Sequence, residues 1–564
     1  MTMIQRMNTD FQALKQIKYA KISTIRVIRV PIKTSIQIHN LQEQLLKWLN
    51  NKELSIHDEE NLCLSLMRYL IRMSTRCTPF GLFAGCTIGE WGERNSVKLK
   101  SSSFYQRHTR LDMEYLGNLV EHLSALHGVQ EHLLFYPNNS LYNFGDKLRY
   151  IDYHFKEKRR IHQIVAIDNS EYVSSVINNA LNGSTISDLA TKLSDDDISF
   201  DEAYLFIQEM IDEKVLISEL DSVTTGEEML PRIIKVLSKI ESKSKIAFDS
   251  NIKLKNIKNL LLKIDSHSIG VCSPVYNQIE ENLSELNILF ERNRLFQTDM
   301  LKPAQTCMID KRLAGTIRRA LEILNKLTQR NNKSSLEKFK DAFIERYDRR
   351  EMPLVTVLDV EVGIGFHQTT ENKGIFNSFI DDLKVNYRDV NTRTIEWNQH
   401  ESFFLKKLIE AQKENSYEVF IQDDDLKSFS SNWNDLPDSL SVIGSILSFE
   451  ENQKYPRIFI KSVNGYATHL LGRFTLLDEK INHWVYDIAK QEQALYSDDT
   501  LYAEIVHLPE SRTGNVLMRK AIRKYEIPYL AQSSVDTEYQ IPLSDLMISI
   551  VTLLNVKKGN MKRE

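Results

Sequence analysis

Cysteine is scarce and unpaired in this chain. Cys63, Cys77, Cys86, Cys272 and Cys307 form no CxxC pair among 564 residues. That excludes a disulfide framework and a paired-cysteine zinc site, and points to free thiols in a reducing compartment. Long apolar runs are missing too. None approaches the ~20 residues of a membrane-spanning helix, and Met1 to Lys21 has no continuous apolar core of the secretory kind. A cytoplasmic protein is expected. Charge of one sign is also lacking. The net charge of -4 at pH 7 excludes a globally basic nucleic-acid binder, while a local basic patch stays open.

The common catalytic signatures are absent. There is no GxxxxGK[ST], HExxH or GxSxG, which removes support for a nucleotide hydrolase, a zinc protease or an α/β-hydrolase. "EVGIGF" at 361–366 begins a dinucleotide fingerprint, but Gln368 stands where the third glycine belongs. The aspartate triplets Asp195–Asp197 and Asp423–Asp425 lack the spacing and glycine of a calcium loop. No set of metal ligands stands out, and no Cys–His or Ser–His pair is evident.

What is present is the composition of an ordinary globular protein, 42% hydrophobic and 26% charged. The length calls for two to four domains. "ISTIRVIRVP" at 22–31 reads as a strand carrying Arg26 and Arg29, within a basic N-terminal segment. A helix should start at Ser55, with Asp58 completing a capping box. Arg68, Arg72 and Arg76 then fall at i, i+4 and i+8 along one helix face. Thr78, Pro79 and Gly81 end that helix, and "GLFAGCTIGEW" reads as a strand or turn-strand. A second helix should cover 112–127, with Asp112 as its N-cap.

Next come two strand-like runs, "KLRYIDYHF" and "RRIHQIVAID". Three short helical segments follow, and then a returning strand, "KVLISEL". That is the outline of a winged helix. Its third helix carries Asp201, Glu202, Glu209, Asp212 and Glu213, which would repel phosphate, so a peptide-binding winged helix fits better than a DNA-binding one. Beyond it, helices are expected at 227–243, 274–290, 311–330 and 335–348. Strands are expected at "PLVTVLDV", "YEVFIQ", "LSVIGSILSF", "PRIFIKSV", "AEIVHLP" and "IPYLAQ". Such mixing gives an α+β fold of several subdomains, with mixed sheets and helices and the winged helix inserted.

Arginines and aspartates dominate the remaining constellations. Arg72, Arg76 and Thr78 could grip a phosphate or carboxylate, but arginines in a last helical turn also complement the helix dipole, and spacing alone favours that plainer role. Asp112 needs no role beyond capping. Asp299, in "FQTDM", is expected at the end of a strand, as a base or an arginine partner. Arg473 is expected on a small-residue turn, "LLGRF". Arg512, Asn515 and Arg519 are expected in and after a strand-exit loop. Together they suit a site that binds a polyanion and stabilises developing charge in acyl transfer.

"RMSTRCTPFGLFAG" at 72–85, "HTRLDMEYL", "PLVTVLDVEVGIGF", "GRF" and "LPESRTGNVLMRKAIRKYEIP" occur in this order over nearly the whole chain. In them the chain resembles the N-terminal glutamylation module of class I lanthipeptide (lantibiotic) dehydratases. The resemblance implies transfer of glutamate from glutamyl-tRNA to Ser and Thr side chains of a ribosomal precursor peptide. The tRNA is a co-substrate and no other cofactor is needed. It implies that Arg29, Arg72, Arg76, Thr78, Asp112, Asp299 and Arg473 serve glutamylation. Arg29 and the other basic residues would hold the tRNA end and the glutamyl group. The aspartates would orient arginines or assist proton transfer, and Arg512, Asn515 and Arg519 lie in a motif of less definite role. Residues 1–135 would begin the module, 136–222 would be the winged-helix element that recognises the leader peptide, and 223–564 would continue the module. Ending at Glu564, the chain would stop inside the module and before any elimination domain, so a separate elimination protein, a cyclase and a homodimer are expected partners. A peptide aminoacyl-tRNA ligase and a non-catalytic leader-binding remnant are the alternative readings.

Overall fold

The computed structural model of the chain describes residues 47–48, 55–75, 81–82, 84–156, 159–267, 273–329, 334–366, 397–434, 436–447, 457–497, 499–550 and 554–558. The expected strand at 22–31, with Arg29, lies outside them, as do Arg76 and Thr78. Of Arg72, only its place on a helix is described.

Ser55 caps helix α1 (Ile56–Thr75) by accepting the Asp58 amide at 3.1 Å. Two short strands follow, β1 (Glu90–Gly92) and β2 (Ser96–Leu99), and then β3 (Gln106–Leu111) leads directly into α2 (Met113–Ala125). Asp112 is the N-cap of α2, accepting the Glu114 amide at 2.9 Å. The run "GLFAGCTIGEW", expected as a strand, holds an isolated bridge from Cys86 to Leu301 before β1 begins.

The segment expected to be a winged helix has the expected elements. Strands β4 (Phe135–Pro137), β5 (Tyr142–Phe144), β6 (Lys147–Lys156) and β7 (Arg159–Asp168) precede helices α3 (Glu171–Ala180), α4 (Ile186–Leu193) and α5 (Phe200–Asp212), and β8 (Leu216–Ser218) follows. Ser170, Thr185 and Ser199 each cap their helix through the hydroxyl, which is why three helices this short are stable with tight joints between them. The sheet order is β5-β6-β7, and β8 pairs antiparallel with β4 rather than with the hairpin. The acidic side chains of α5 are exposed.

Helices α6 (Met229–Ile240), α7 (Lys245–Ser266) and α8 (Ser273–Ser284) pack with α2 through α5 in the largest apolar core, which Met518 joins from far along the chain. Strand β9 (Phe296–Leu301) pairs antiparallel with β3, and β10 (Ala304–Asp310) lies between β1 and β2. Helices α9 (Arg312–Leu327) and α10 (Ser335–Tyr347) follow. The remainder is a set of small sheets and helices, β11 (Met352–Pro353), α11 (Gln399–Lys413), β12 (Leu440–Ile446), β13 (Ile458–Gly465), α12 (Glu479–Gln493), β14 (Ala503–Val506), β15 (Tyr525–Pro528), β16 (Leu546–Ile550) and β17 (Leu554–Lys558). The α+β expectation holds.

Three expected strands are corrected. "PLVTVLDV" contributes only Pro353 to β11 and then turns into a short helix, Leu354–Leu358. The amides of Ile364 and Gly365 fold back onto the Val357 carbonyl there and hold the chain coiled. "YEVFIQ" forms no strand, because Tyr417 and Phe420 are exposed and no neighbouring strand pairs with it among the described residues. "IPYLAQ" lies mostly beyond β15, which spans Tyr525–Pro528.

The β6–β7 hairpin is tied to the later chain by a buried carboxylate. Asp359 accepts from Arg149 at 2.5 Å, from the Tyr142 hydroxyl at 2.5 Å and from two backbone amides. Burial opposes its charge, but these donors hold its pKa below the usual carboxylate value. The ion therefore stabilises the fold above about pH 4, and that contribution is lost as pH falls through the lower folded value. Arg149→Met should lower stability at pH 7 by about 3 kcal/mol, the cost of stranding a buried charge. The deficit should shrink toward pH 3, because Asp359 in the variant has lost the arginine that holds its pKa down and takes up a proton more readily. Urea unfolding at the two pH values reads both effects.

Candidate functional site

The antiparallel β3–β9 ribbon carries the site. His108 stands opposite Asp299 and Arg110 opposite Gln297, so strand alternation puts His108, Arg110 and Asp299 on one face. Asp299 is only 3% exposed. It lies between two guanidiniums, Arg110 at 3.2 Å on one oxygen and Arg473 at 2.5 Å on the other. Arg473 comes from the expected turn, a single 3-10 turn over Gly472–Phe474. Asp299 sits within its strand rather than at its end, since β9 is paired on through Leu301.

The far end of the arginine-rich motif reaches the same strand. The Cys86 amide donates to the Met300 carbonyl at 2.9 Å, and the Lys302 amide donates to the Cys86 carbonyl at 2.8 Å. A Cβ at Gly85 would lie 2.5 Å from the Met300 carbonyl oxygen, so only glycine lets the chain lie this close beside Asp299. Burial, then the Asp299 charge, pushes the Cys86 thiol up to about 11. A thiol raised in this way is poorly ionised, which disfavours a nucleophilic role.

Asp112 forms a second centre on the same ribbon face, four residues beyond His108, or about 13 Å of extended chain. Its side chain caps α2 and is hydrogen-bonded by Asn515. The Asn515 carbonyl oxygen in turn accepts the Met113 amide at 3.0 Å, and Arg512 lies 3.9 Å from the second carboxylate oxygen. Burial pushes the Asp112 pKa up, against the pull of these partners. Arg512 and Asn515 therefore meet Asp112, in a 3-10 turn and a helical turn over 511–517. Arg519 does not join them. It is held by the buried Glu504 of β14 at 2.7 Å and by the Leu517 carbonyl.

Between the two centres is a cavity of about 90 Å³. Arg110 and Asn515 line it and connect it to both centres, and His108, Glu228, Lys258 and Asp265 are its other titratable lining residues. None of these four was singled out from sequence, and neither was Arg110. His108 lies 2.5 Å from Glu228. Burial lowers the His108 pKa, but Glu228 more than reverses this and the net shift is upward, while Glu228 is held below its ordinary value. Each partner thus favours the charged form of the other. Arg107 points to the opposite face, where it caps the last carbonyls of α7, donating to Ile264 at 2.8 Å and to His267 at 3.3 Å. The available signal was "RHTRL", four consecutive polar residues leading into an apolar helix start, and in the fold Arg107, Thr109 and Arg110 are all buried.

The family model described as "Lantibiotic dehydratase, N terminus" matches residues 32–553. The chain belongs to this family. Its curated relatives include the subtilin biosynthesis protein SpaB of Bacillus subtilis, 23% identical over 511 residues, or 87% of this chain and 46% of that protein. The nisin biosynthesis protein NisB of Lactococcus lactis subsp. lactis is 23% identical over 511 residues, or 86% of this chain and 47% of that protein. The chain thus spans about half the length of these curated relatives. Among solved structures, the tRNA-dependent lantibiotic dehydratase MibB from Microbispora sp. 107891 superposes with a TM-score of 0.74 at 18% identity, over 93% of this chain and 52% of that one. The glutamylation domain of TbtB, from thiomuracin biosynthesis, gives 0.55 at 14% identity, over 93% of this chain and 63% of that one. Both likenesses are of fold.

Proposed function

We propose that this chain of the lantibiotic dehydratase family transfers glutamate from glutamyl-tRNA to Ser and Thr hydroxyls of a ribosomally made precursor peptide. The observation that carries the reading is Asp299, buried between Arg110 and Arg473 on the strand against which Gly85 and Cys86 are laid. In the reaction the substrate hydroxyl oxygen attacks the ester carbonyl carbon. A new ester bond forms and the bond to the ribose oxygen breaks. The proton of the incoming hydroxyl ends on that ribose oxygen. The ester is already activated, so no cofactor is required.

Asp299 orients the two guanidiniums so that their N–H groups meet the oxyanion as it forms. Asp112, with its raised pKa, is the carboxylate suited to take the hydroxyl proton in passing. Arg29, Arg72 and Arg76 keep the role implied by the resemblance, holding the tRNA end and the glutamyl group, Thr78 serves glutamylation with them, and Arg519 acts on the site by shaping the turn before it. Residues 136–222 take the leader as an added strand on the winged-helix element. β7, an edge of its sheet, and the exposed acidic α5 suit a peptide better than nucleic acid. Elimination of glutamate falls to a separate domain or chain, a cyclase acts after it, and the enzyme works in the cytoplasm as a homodimer.

The test combines purified protein, precursor peptide and glutamyl-tRNA and reads peptide mass. A gain of one or more glutamyl units is expected. No gain with leader binding intact would refute transfer and leave a leader-binding scaffold.

A further inference from the structure

Asp299 sets what Arg473 points at, but not where Arg473 starts from. Nη2 of Arg473 is bonded to Asp299, and its buried Nε makes no hydrogen bond. A guanidinium held at one end takes its direction from the backbone that carries it. That backbone is the 3-10 turn Gly472–Phe474, which follows the short helix Ala467–Leu471. A single 3-10 turn holds its own shape poorly, because its hydrogen bonds are few and badly aligned.

Thr475 follows the turn and is 1% exposed. Its amide donates to the Gly472 carbonyl at 3.1 Å, and its Oγ1 donates to the same carbonyl at 2.7 Å. Oγ1 in turn accepts the Lys520 amide at 2.9 Å. A threonine hydroxyl that bonds back to a nearby carbonyl is common and by itself only structural. Here the second bond leads elsewhere. Lys520 ends a strip, residues 515–520, whose other end holds Asp112 through Asn515. The strip is itself fixed. The Arg519 amide donates to the Thr224 carbonyl at 3.1 Å, the Arg519 carbonyl accepts the Gly226 amide at 2.8 Å, and Met518 is buried in the largest core. Turn and strip also fit closely. A Cβ on Gly472 would lie 3.0 Å from Cδ of Arg519, whose guanidinium is held by Glu504.

We propose that Thr475 is the positioning residue of Arg473: its hydroxyl fastens the arginine's turn to the strip that carries Asn515, and so sets the spacing between the Asp299 and Asp112 centres. This rests on the transfer reading and deepens it. Under that reading Arg473 meets the oxyanion and Asp112 takes the hydroxyl proton, so both must stand correctly about one carbonyl carbon. A misplacement of about 1 Å can cost 10²-fold in rate. Thr475 is buried and touches no substrate, so its loss acts on the rate and leaves peptide binding alone.

Thr475→Val keeps the shape and removes the hydroxyl, while Thr475→Ser keeps the hydroxyl. Single-turnover transfer from glutamyl-tRNA is measured over a range of precursor-peptide concentrations. Thr475→Val should lower the maximal rate by about 10- to 10²-fold with half-saturation unchanged, and Thr475→Ser should restore most of that rate. The deciding comparison is made in Arg473→Met. With the arginine gone, Thr475→Val should cause no further loss. Equal losses in both backgrounds overturn the proposal. So does a folded Thr475→Val as fast as the unsubstituted protein, or a Thr475→Ser as slow as Thr475→Val. If Thr475→Val does not fold, Gly472→Ala takes its place, because its methyl presses the same turn away from Arg519, and the same comparison decides. If the unsubstituted protein transfers nothing, the transfer reading falls and urea unfolding decides the positioning. Thr475→Val and Asp299→Asn should then cost less together than the sum of their separate costs, and additive costs overturn the assignment.

Discussion

Asp299→Asn should slow glutamyl transfer by about 10²–10³-fold, the loss seen when a preorganised oxyanion donor is removed. The side chain keeps its size, so the effect is electrical. The neutral amide would release Arg473, which is 19% exposed, and leave Arg110, at 8%, as a buried cation without its counter-charge. Breaking such a buried pair also costs about 3–5 kcal/mol of stability, so activity alone would not separate the two effects. A second substitution does. Asp299→Asn combined with Arg473→Met removes one of the stranded cations and should recover part of the lost stability without recovering transfer. Urea unfolding and single-turnover transfer on the two singles and the double complete the cycle. Transfer within tenfold of the unsubstituted rate in folded Asp299→Asn would show that this centre only holds the fold.

The second large effect is expected from Asn515→Asp. The change preserves an acceptor for the Met113 amide, now held at 3.0 Å, but it replaces the donor to Asp112 with a second carboxylate. Two like charges in one buried site cannot both ionise cheaply, so one proton is retained at neutral pH. Transfer should fall by about 10²-fold or more, the scale of a lost general base. A sign follows for stability as well. A carboxyl whose folded pKa is raised costs stability at high pH, and the cost is relieved as pH falls through that raised value. Melting temperatures of Asn515→Asp should therefore rise from pH 7 to pH 5 relative to the unsubstituted protein. Asn515→Ala, which removes donor and acceptor together, should cost about 1–3 kcal/mol at every pH through the unpaired Met113 amide. If the aspartate variant shows no pH dependence of its own, Asp112 and residue 515 are not coupled.

Asp112 was legible in sequence because capping is local. A short polar residue before an apolar helix start is enough to place it. The same local chemistry operates at Ser170, Thr185 and Ser199, whose capping the structure supplies. The long helix α7 was missed although its buried positions, 247, 250, 251, 254, 257, 261 and 264, have helical spacing. Two of them are Ser250 and Asn251, and Asn251 is fully buried because it donates to Ser238 and Glu241 on the neighbouring helix segment. Such a stripe does not look apolar until its polar partners are known. "PLVTVLDV" was misassigned for the opposite reason. Its β-branched residues favour strand, and tertiary hydrogen bonds override them. His108, Glu228 and Asp265 escaped notice because their meaning is a meeting of segments. His108 and Glu228 are 120 positions apart, and neither residue type at its own position announces the other. The resemblance named Asp299 and Arg473 as members of one site, but only the fold supplies Arg110 as the third charge that holds them.

The β3–β9 ribbon also orders events in time. Arg110 and Asp299 are 189 positions apart, and Met113 and Asn515 are 402 apart. Between Arg110 and Asp299 lie the hairpin and its three capped helices, whose contacts with one another are local and therefore fast to form. At a translation rate of about 5–20 residues per second, Asn515 is added roughly 20–80 s after Met113. For that interval a nascent chain has residues 136–222 made while the proposed acyl-transfer centre lacks a wall. Assembly of the centre closes loops of hundreds of residues, and their entropy is recovered only by the last contacts made. Under the proposed function, the transfer centre is thus completed late in the life of the nascent chain, after the segment proposed to dock the peptide.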